Sequence, residues 1–531
     1  MSVELAVARP RTADAVVTGI GVIAPTGIGA DAHWRACLAG TSGIQVSAQY
    51  RDAGYTSVLH APVPEFVAKQ HIPRRLSVQT DRWTGFGLAA TAAALADAGI
   101  EPTAAAGESV GVVTGSSSGG NEFGQREIAS LWSGGPAEVS AYQSIAWFYA
   151  ATTGQVSIRN GAKGPCSVVV TEQAAGLDAL GQARRELRRG TGLMLAGGTE
   201  APLSPYAYSC QLASGLLSTA TDPERGYLPF DAAAAGYVPG EGGAMFTVEP
   251  AAAASARGAK SYGRIAGYAA AFDATPATGT GLHRVLVRAM ADAGCAPDEV
   301  DVVFADAMAV PELDAAEAAV LTAVFGPRAV PVTAPKTLTG RLYAGGSALD
   351  VATALLALRH QTIPPTPGAI SSAYPELDLV VDGPRSRAQR PPGVVAPGHG
   401  GGGGGGAPGG GPPAAGVAGA VFKARPATYL VAQVTGGTTM AEFTIDDLRP
   451  ILVQAFGELD EEFDTTGDIS DIEFEELGLD SLALIETQAL IRRRFGVRLE
   501  DGLVVGTSTP ADLVAAVNAQ LAAELVPVRP Q

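Results

Sequence analysis

The chain has 531 residues, of which 47% are hydrophobic, and its mean hydropathy is slightly positive, so it can bury two to four domain cores and is no disordered polymer. The formal charge of −17 is uneven: residues 440–531 carry 19 acidic residues against 6 arginines (−13), leaving 34 acidic and 30 basic residues (−4) before them. No basic patch with interleaved aromatics speaks for nucleic acid, and no run of eighteen apolar residues speaks for a membrane span. The opening MSVELAVARPRTADAVV lacks the continuous apolar stretch of a signal peptide, and a cytoplasmic location is expected. Cys37, Cys166, Cys210 and Cys295 show no CxxC spacing, so neither a zinc site nor a disulfide framework is indicated and reduced core thiols are expected.

Taken in order, Ala15–Ile23 reads as a strand ending in a Gly- and Pro-rich turn; the turn lacks the GxGxxG frame of a dinucleotide site. Residues 31–38 and 84–98 read as helices, the second so rich in alanine that it should be buried against a sheet. Residues 109–114 (SVGVVT) form a short buried strand, followed by a permissive loop and the helical spacing of EFGQREIASLW. Next, VVVTEQAAGLDAL (168–180) runs a β-branched strand straight into a helix. A residue at that turn meets unpaired backbone N–H groups and a positive dipole end, where a thiolate or oxyanion is stabilised. The residue there is Gln173, which cannot attack a thioester. Residues 261–434 again alternate strands with Ala-rich helices, an α/β order.

The turn at 171–180 resembles the TACSSGLDAL turn of β-ketoacyl synthases, with Glu172 and Gln173 in place of Ala and the reactive Cys. GLMLAGGTE (192–200) and LPFDAAAAGYVPGEGGAMF (228–246) resemble two further motifs of that family, and Gln at the nucleophile's place is similar to its chain length factors, the ketosynthase β subunits of type II polyketide synthases. The resemblance implies a duplicated thiolase fold, a five-layer αβαβα sandwich with halves near 14–250 and 251–434. It also implies two histidines for condensation, which would stabilise the enolate and the thioester oxygen. Where the first should stand the chain has Ala307 and Met308; the second motif keeps Lys336 and Gly340 but presents Arg341. With nucleophile and both imidazoles absent, a non-condensing subunit is expected, paired with a catalytic ketosynthase α subunit whose tunnel it completes. The resemblance further places Asn121, Gly124 and Ile128 on a helix that sets product length. None is aromatic, so a deep tunnel is expected. A Gln-type malonyl decarboxylase or priming ketosynthase, and a scaffold unrelated to polyketides, remain alternatives.

The glycine tract at 398–416 reads as an expanded loop inside a terminal hairpin, extending the body to residue 434, with residues 435–439 as linker. Residues 440–531 carry three helical patterns around FEELGLDSLAL and resemble an acyl carrier protein, a small four-helix bundle. Ser481 matches the serine that receives 4′-phosphopantetheine; the competing role is a simple helix cap. The resemblance implies a phosphopantetheinyl transferase and a malonyl transferase as partners.

Overall fold

The computed structural model describes residues 14–101, 107–271, 276–369, 373–386, 393–395 and 443–456, with parts of 467–491 and 509–524. The chain divides into two compact units. One takes in Met1–His71, Asp81–Glu122 and Phe148–Ala418; the other takes in Ile72–Thr80, Phe123–Trp147 and Gly419–Gln531.

In the first unit five principal strands build one mixed sheet: β1 (Ala15–Ala24), β2 (Val110–Ser116), β3 (Cys166–Val170), β4 (Leu193–Glu200) and β5 (Gly242–Pro250). Their spatial order is β1–β5–β4–β2–β3, with β1–β5 and β5–β4 antiparallel, β4–β2 and β2–β3 parallel. Two-residue strands flank β1. A smaller parallel sheet holds β6 (Val300–Phe304), β7 (Pro331–Thr333), β8 (Asp378–Leu379) and β9 (Gly393–Val395) in the order β8–β7–β6–β9.

The helices used below are α1 (Arg82–Ala98), α2 (Asn121–Gly134), α3 (Ala151–Asn160), α4 (Ala175–Arg188), α5 (Thr280–Ala293), α6 (Pro311–Phe325) and α7 (Ala344–His360). Asp81 starts α1 by accepting the Trp83 N–H, and the alanines of α1 let it lie close on the sheet, where Phe86 and Ala90 pack with Ile23, Met245 and Ala151 of α3. On the sheet's other face α4 and α7 form a central layer: Ala179, Leu180 and Ala183 meet Ala348, Leu349 and Ala352 beneath Ile20, Met194 and Phe246. A Cβ on Gly176 would stand 2.6 Å from the Ala348 nitrogen, so this crossing demands glycine there. Past α7, Leu356 and Ala357 pack on Val302 and Phe304 of β6. Leu282, Leu286 and Leu321 of α5 and α6 cover the far face of β6 and β7. Five layers, αβαβα, follow from these contacts, the thiolase-like ketosynthase fold.

In the second unit, α2 is followed by a short helix, Gln143–Ala146, with Phe123, Tyr142 and Ala146 buried together. Near the C-terminus, α8 (Ile445–Phe456) and α9 (Pro510–Glu524) share a core of Leu448, Ile451, Leu452, Leu513 and Val517. Asn518 closes it, exchanging 2.8 and 2.7 Å hydrogen bonds with both backbone groups of Phe443. Thr509 caps α9 as its sequence predicts.

Two expectations are corrected. Only Cys37 is a core thiol: Cys166 and Cys210 are exposed and Cys295 half-buried, because they lie on the sheet edge, on an outward helix face and just past the end of α5. Among its described residues, 261–271, the run from 261 forms only the strand Gly263–Arg264. Farther along, its backbone bonds to side chains, the Ala266 carbonyl accepting from Arg184 and the Tyr268 N–H donating to Asp292. The valines at 168–170 are half-buried or exposed, since β3 pairs with β2 on one side and no other described strand pairs with it. The glycine tract, the second hairpin strand and residues 435–439 lie outside the described residues.

Candidate functional site

β3 delivers the chain to Thr171, whose hydroxyl donates to Asp178 one turn into α4; Tyr268 donates to the same carboxylate at 2.6 Å. Between them a single 3-10 turn, Glu172–Ala174, presents Gln173 into the interior. Glu172 holds a left-handed φ of 53°, a conformation costing a non-glycine residue on the order of 1 kcal/mol.

Arg341 fills the space opposite. Its Nε donates to Gln173 Oε1, its Nη1 to the Asp306 carbonyl at 2.5 Å and its Nη2 to Asp306 Oδ1 at 2.8 Å. All three residues are at most 7% exposed, so bulk water does not compete for these bonds. Burial alone works against the guanidinium's charge, but Asp306 and Tyr227 outweigh it and hold Arg341 further above its usual range. Such a cation keeps its proton through any physiological pH and cannot act as an acid–base pair as imidazole does.

The Asp306–Ala309 turn is held by α6. Glu317 accepts the Asp306 and Ala307 N–H groups, both at 2.8 Å, and Asp314 accepts those of Ala309 at 3.0 Å and Phe230 at 2.7 Å. These bonds fix the left-handed Ala307 and Ala309, at φ 53° and 55°, where non-glycine residues are rare. Met308 is buried among Tyr208, Tyr227 and Tyr237. Lys336 pairs with Asp350 of α7 at 2.7 Å. Burial pushes Glu172 up to about 8, against the opposing pull of Arg341, and Asp314 up to about 7, against the Phe230 N–H.

A cavity beside Gln173 and Arg341 is lined also by Lys336, Ser347, Thr353 and His33, with no cysteine among its lining residues. His33 is a neutral core histidine: Thr26 and Thr353 engage its two ring nitrogens at 2.7 and 2.8 Å, and burial lowers it to about 4. The structure thus brings Gln173, Lys336 and Arg341 together around one site and places Met308 in the adjoining aromatic core. The sequence reading missed Asp306, Asp314 and Glu317. Their signal was an acidic residue inside the histidine turn and a second pair three residues apart on α6.

On α2, Asn121 donates to Ser118 at 2.6 Å, Gly124 is buried and Ile128 is 48% exposed. In the carrier segment Leu477 and Leu484 are anchored in the core on either side of Ser481, which itself lies outside the described residues.

A five-layer body whose buried site holds an amide and a guanidinium defines the class, and sequence comparison agrees. The "Beta-ketoacyl synthase, N-terminal domain" profile matches residues 12–254, the "Beta-ketoacyl synthase, C-terminal domain" profile residues 262–369 and "Phosphopantetheine attachment site" residues 450–517. The chain belongs to the β-ketoacyl synthase family. Among its relatives is the tetracenomycin polyketide synthase ketoacyl synthase beta subunit of Streptomyces glaucescens, 55% identical over 394 residues, covering 73% of this chain and 96% of that protein. The actinorhodin polyketide beta-ketoacyl synthase 2 of Streptomyces coelicolor is 51% identical, covering 72% and 95%. Within the family the chain therefore stands with the ketosynthase β subunits, or chain length factors, of type II polyketide synthases, and it carries in addition a domain of the type that bears 4′-phosphopantetheine. A chain from a type II acyl carrier protein–ketosynthase complex bound to the hexaketide superposes with a TM-score of 0.65 at 27% identity, over 71% of this chain and 94% of that one. The ishigamide ketosynthase/chain length factor shares the fold at 24% identity, with a TM-score of 0.65, over 71% and 93%. No helix among the described residues is long and apolar enough to cross a membrane.

Proposed function

We propose that residues 1–434 act as a non-condensing chain length factor, joined by residues 435–439 to an acyl carrier protein at 440–531. The observation that carries this reading is the Gln173–Arg341–Asp306 bridge. Condensation requires a thiolate to hold the acyl chain and neutral hydrogen-bond donors that can meet a developing oxyanion. Here the nucleophile's place holds an amide whose oxygen is already bonded, and the guanidinium facing it is committed to Asp306. Malonyl decarboxylation is disfavoured because Ala307, Met308 and Arg341 stand where imidazoles would stabilise the enolate.

Bond formation then falls to a ketosynthase α subunit. The outer edge of β3 is the natural place for it: a strand edge exposes N–H and C=O groups in a row, and Val170, Ile158, Phe148 and Tyr149 are 41–75% exposed in the same unit. Pairing there would cover this apolar surface. Independently of that edge, Asn121, Gly124 and Ile128 of α2 would set product length. Ser481 would be esterified with 4′-phosphopantetheine by a phosphopantetheinyl transferase. The arm supplies a thiol that carries malonyl and growing polyketide groups as thioesters, loaded through a malonyl transferase. Leu477 and Leu484 hold the serine's segment to a firm base.

Intact mass after co-expression with a phosphopantetheinyl transferase tests the carrier half: one arm's mass is expected on the wild type and none on Ser481→Ala. An arm retained in that variant would overturn the assignment. For the body, co-purification with a cysteine-bearing ketosynthase is expected, and polyketide should form only when that subunit is present.

A further inference from the structure

The bulk that α2 lacks is supplied by the segment that follows it. A Cβ built on Gly124 would stand 3.1 Å from Cδ1 of Trp147 and 3.8 Å from Nε2 of Gln143. The first distance is tighter than ordinary van der Waals contact, so the indole already occupies the space beside the glycine. That contact is framed. Phe123 of α2 is buried with Tyr142 and Ala146, the Ser140 N–H donates to Glu127 of α2 at 2.6 Å, and the Trp147 N–H bonds back to Gln143. Trp147 itself is 52% exposed, one side of its ring against the helix and the remainder uncovered.

We propose that Trp147 is the residue limiting product length at the level of Gly124. The proposal rests on α2 being the wall of the tunnel. It also revises the expectation of a deep tunnel drawn from the absence of aromatics at Asn121, Gly124 and Ile128, since an aromatic ring reaches that wall from outside the helix. Apolar bulk at such a wall works by excluding chain: removing a large ring opens volume that an extended chain can fill, whereas adding a ring closes it. A side chain at Gly124 would press on the indole, which must give by a few tenths of an ångström to admit even a methyl group.

The test uses the full chain co-expressed with its ketosynthase α, with product mass as the readout. Trp147→Ala should lengthen the product by at least one two-carbon unit, and Trp147→Phe should give a mixture of the native and the longer product. Ile128→Trp serves as the reference and should shorten it. Unchanged length in the Trp147 variants, with shortening in Ile128→Trp, would overturn the role of Trp147 while leaving the wall in place. Unchanged length in all three would sink the wall itself. Co-purification with the partner is scored in parallel. Should Trp147→Ala fail to assemble, Trp147→Phe and Trp147→Leu carry the same criterion.

Discussion

The Gln173–Arg341 site and the outer edge of β3 lie in the same unit and are opposites in how they treat their chemical groups. At the site the polar groups are bonded inward: Arg341 is shared between Gln173 and Asp306, and Glu317 and Asp314 are consumed by backbone N–H groups. At the edge, apolar side chains and strand hydrogen-bonding groups stand without cover among the described residues. Under the proposed function, the first region serves as internal support and the second is where the ketosynthase α would pair. Three changes should break or sharpen this contrast.

The largest effect is expected at Arg341. Arg341→Ala leaves Asp306 buried without its cation, a loss that in comparable buried pairs costs about 3–5 kcal/mol. Denaturant unfolding should report that loss, and a variant as stable as wild type would mean the bridge is incidental. Glu172 should come next, with a sign set by its raised pKa. Between pH 4.5 and about 8 the folded protein keeps a proton that the unfolded chain has released, so stability falls as pH rises through that window and levels off above it. Glu172→Gln removes the slope and should stabilise the protein at pH 8 by up to about 2–4 kcal/mol, reduced where water reaches the carboxyl. Unfolding measured at pH 5 and pH 8 checks it, and a gain at pH 5 as large as at pH 8 would contradict the assignment. The smallest stability effect belongs to the edge. Ile158→Asp and Val170→Asp should each change unfolding by no more than about 0.5 kcal/mol. Either should weaken binding of the ketosynthase α at least about tenfold, since a charge would be buried against apolar surface. Unaltered pairing in both variants would move the interface elsewhere.

Much of this was legible in the sequence, for reasons that separate by distance along the chain. The strand-turn-helix at 168–188 and the Ala-rich α1 and α7 follow local periodicity, so their existence could be read directly. Gln173 and Arg341 were recognisable as replacements because each sits inside a motif. That they bond to each other was not, since 168 residues separate them and only the fold brings them together. The same limit hid Asp306 as their partner and Trp147 as the cover of Gly124. That β3 ends the sheet was likewise not legible, because composition does not reveal where a sheet stops.

The most direct test of the account is chain elongation by the purified polypeptide, loaded on Ser481 with malonyl groups and supplied with an acyl starter. The account predicts no carbon–carbon bond formation from this chain alone and polyketide once a cysteine-bearing ketosynthase α is added. Elongation by the isolated chain would contradict it.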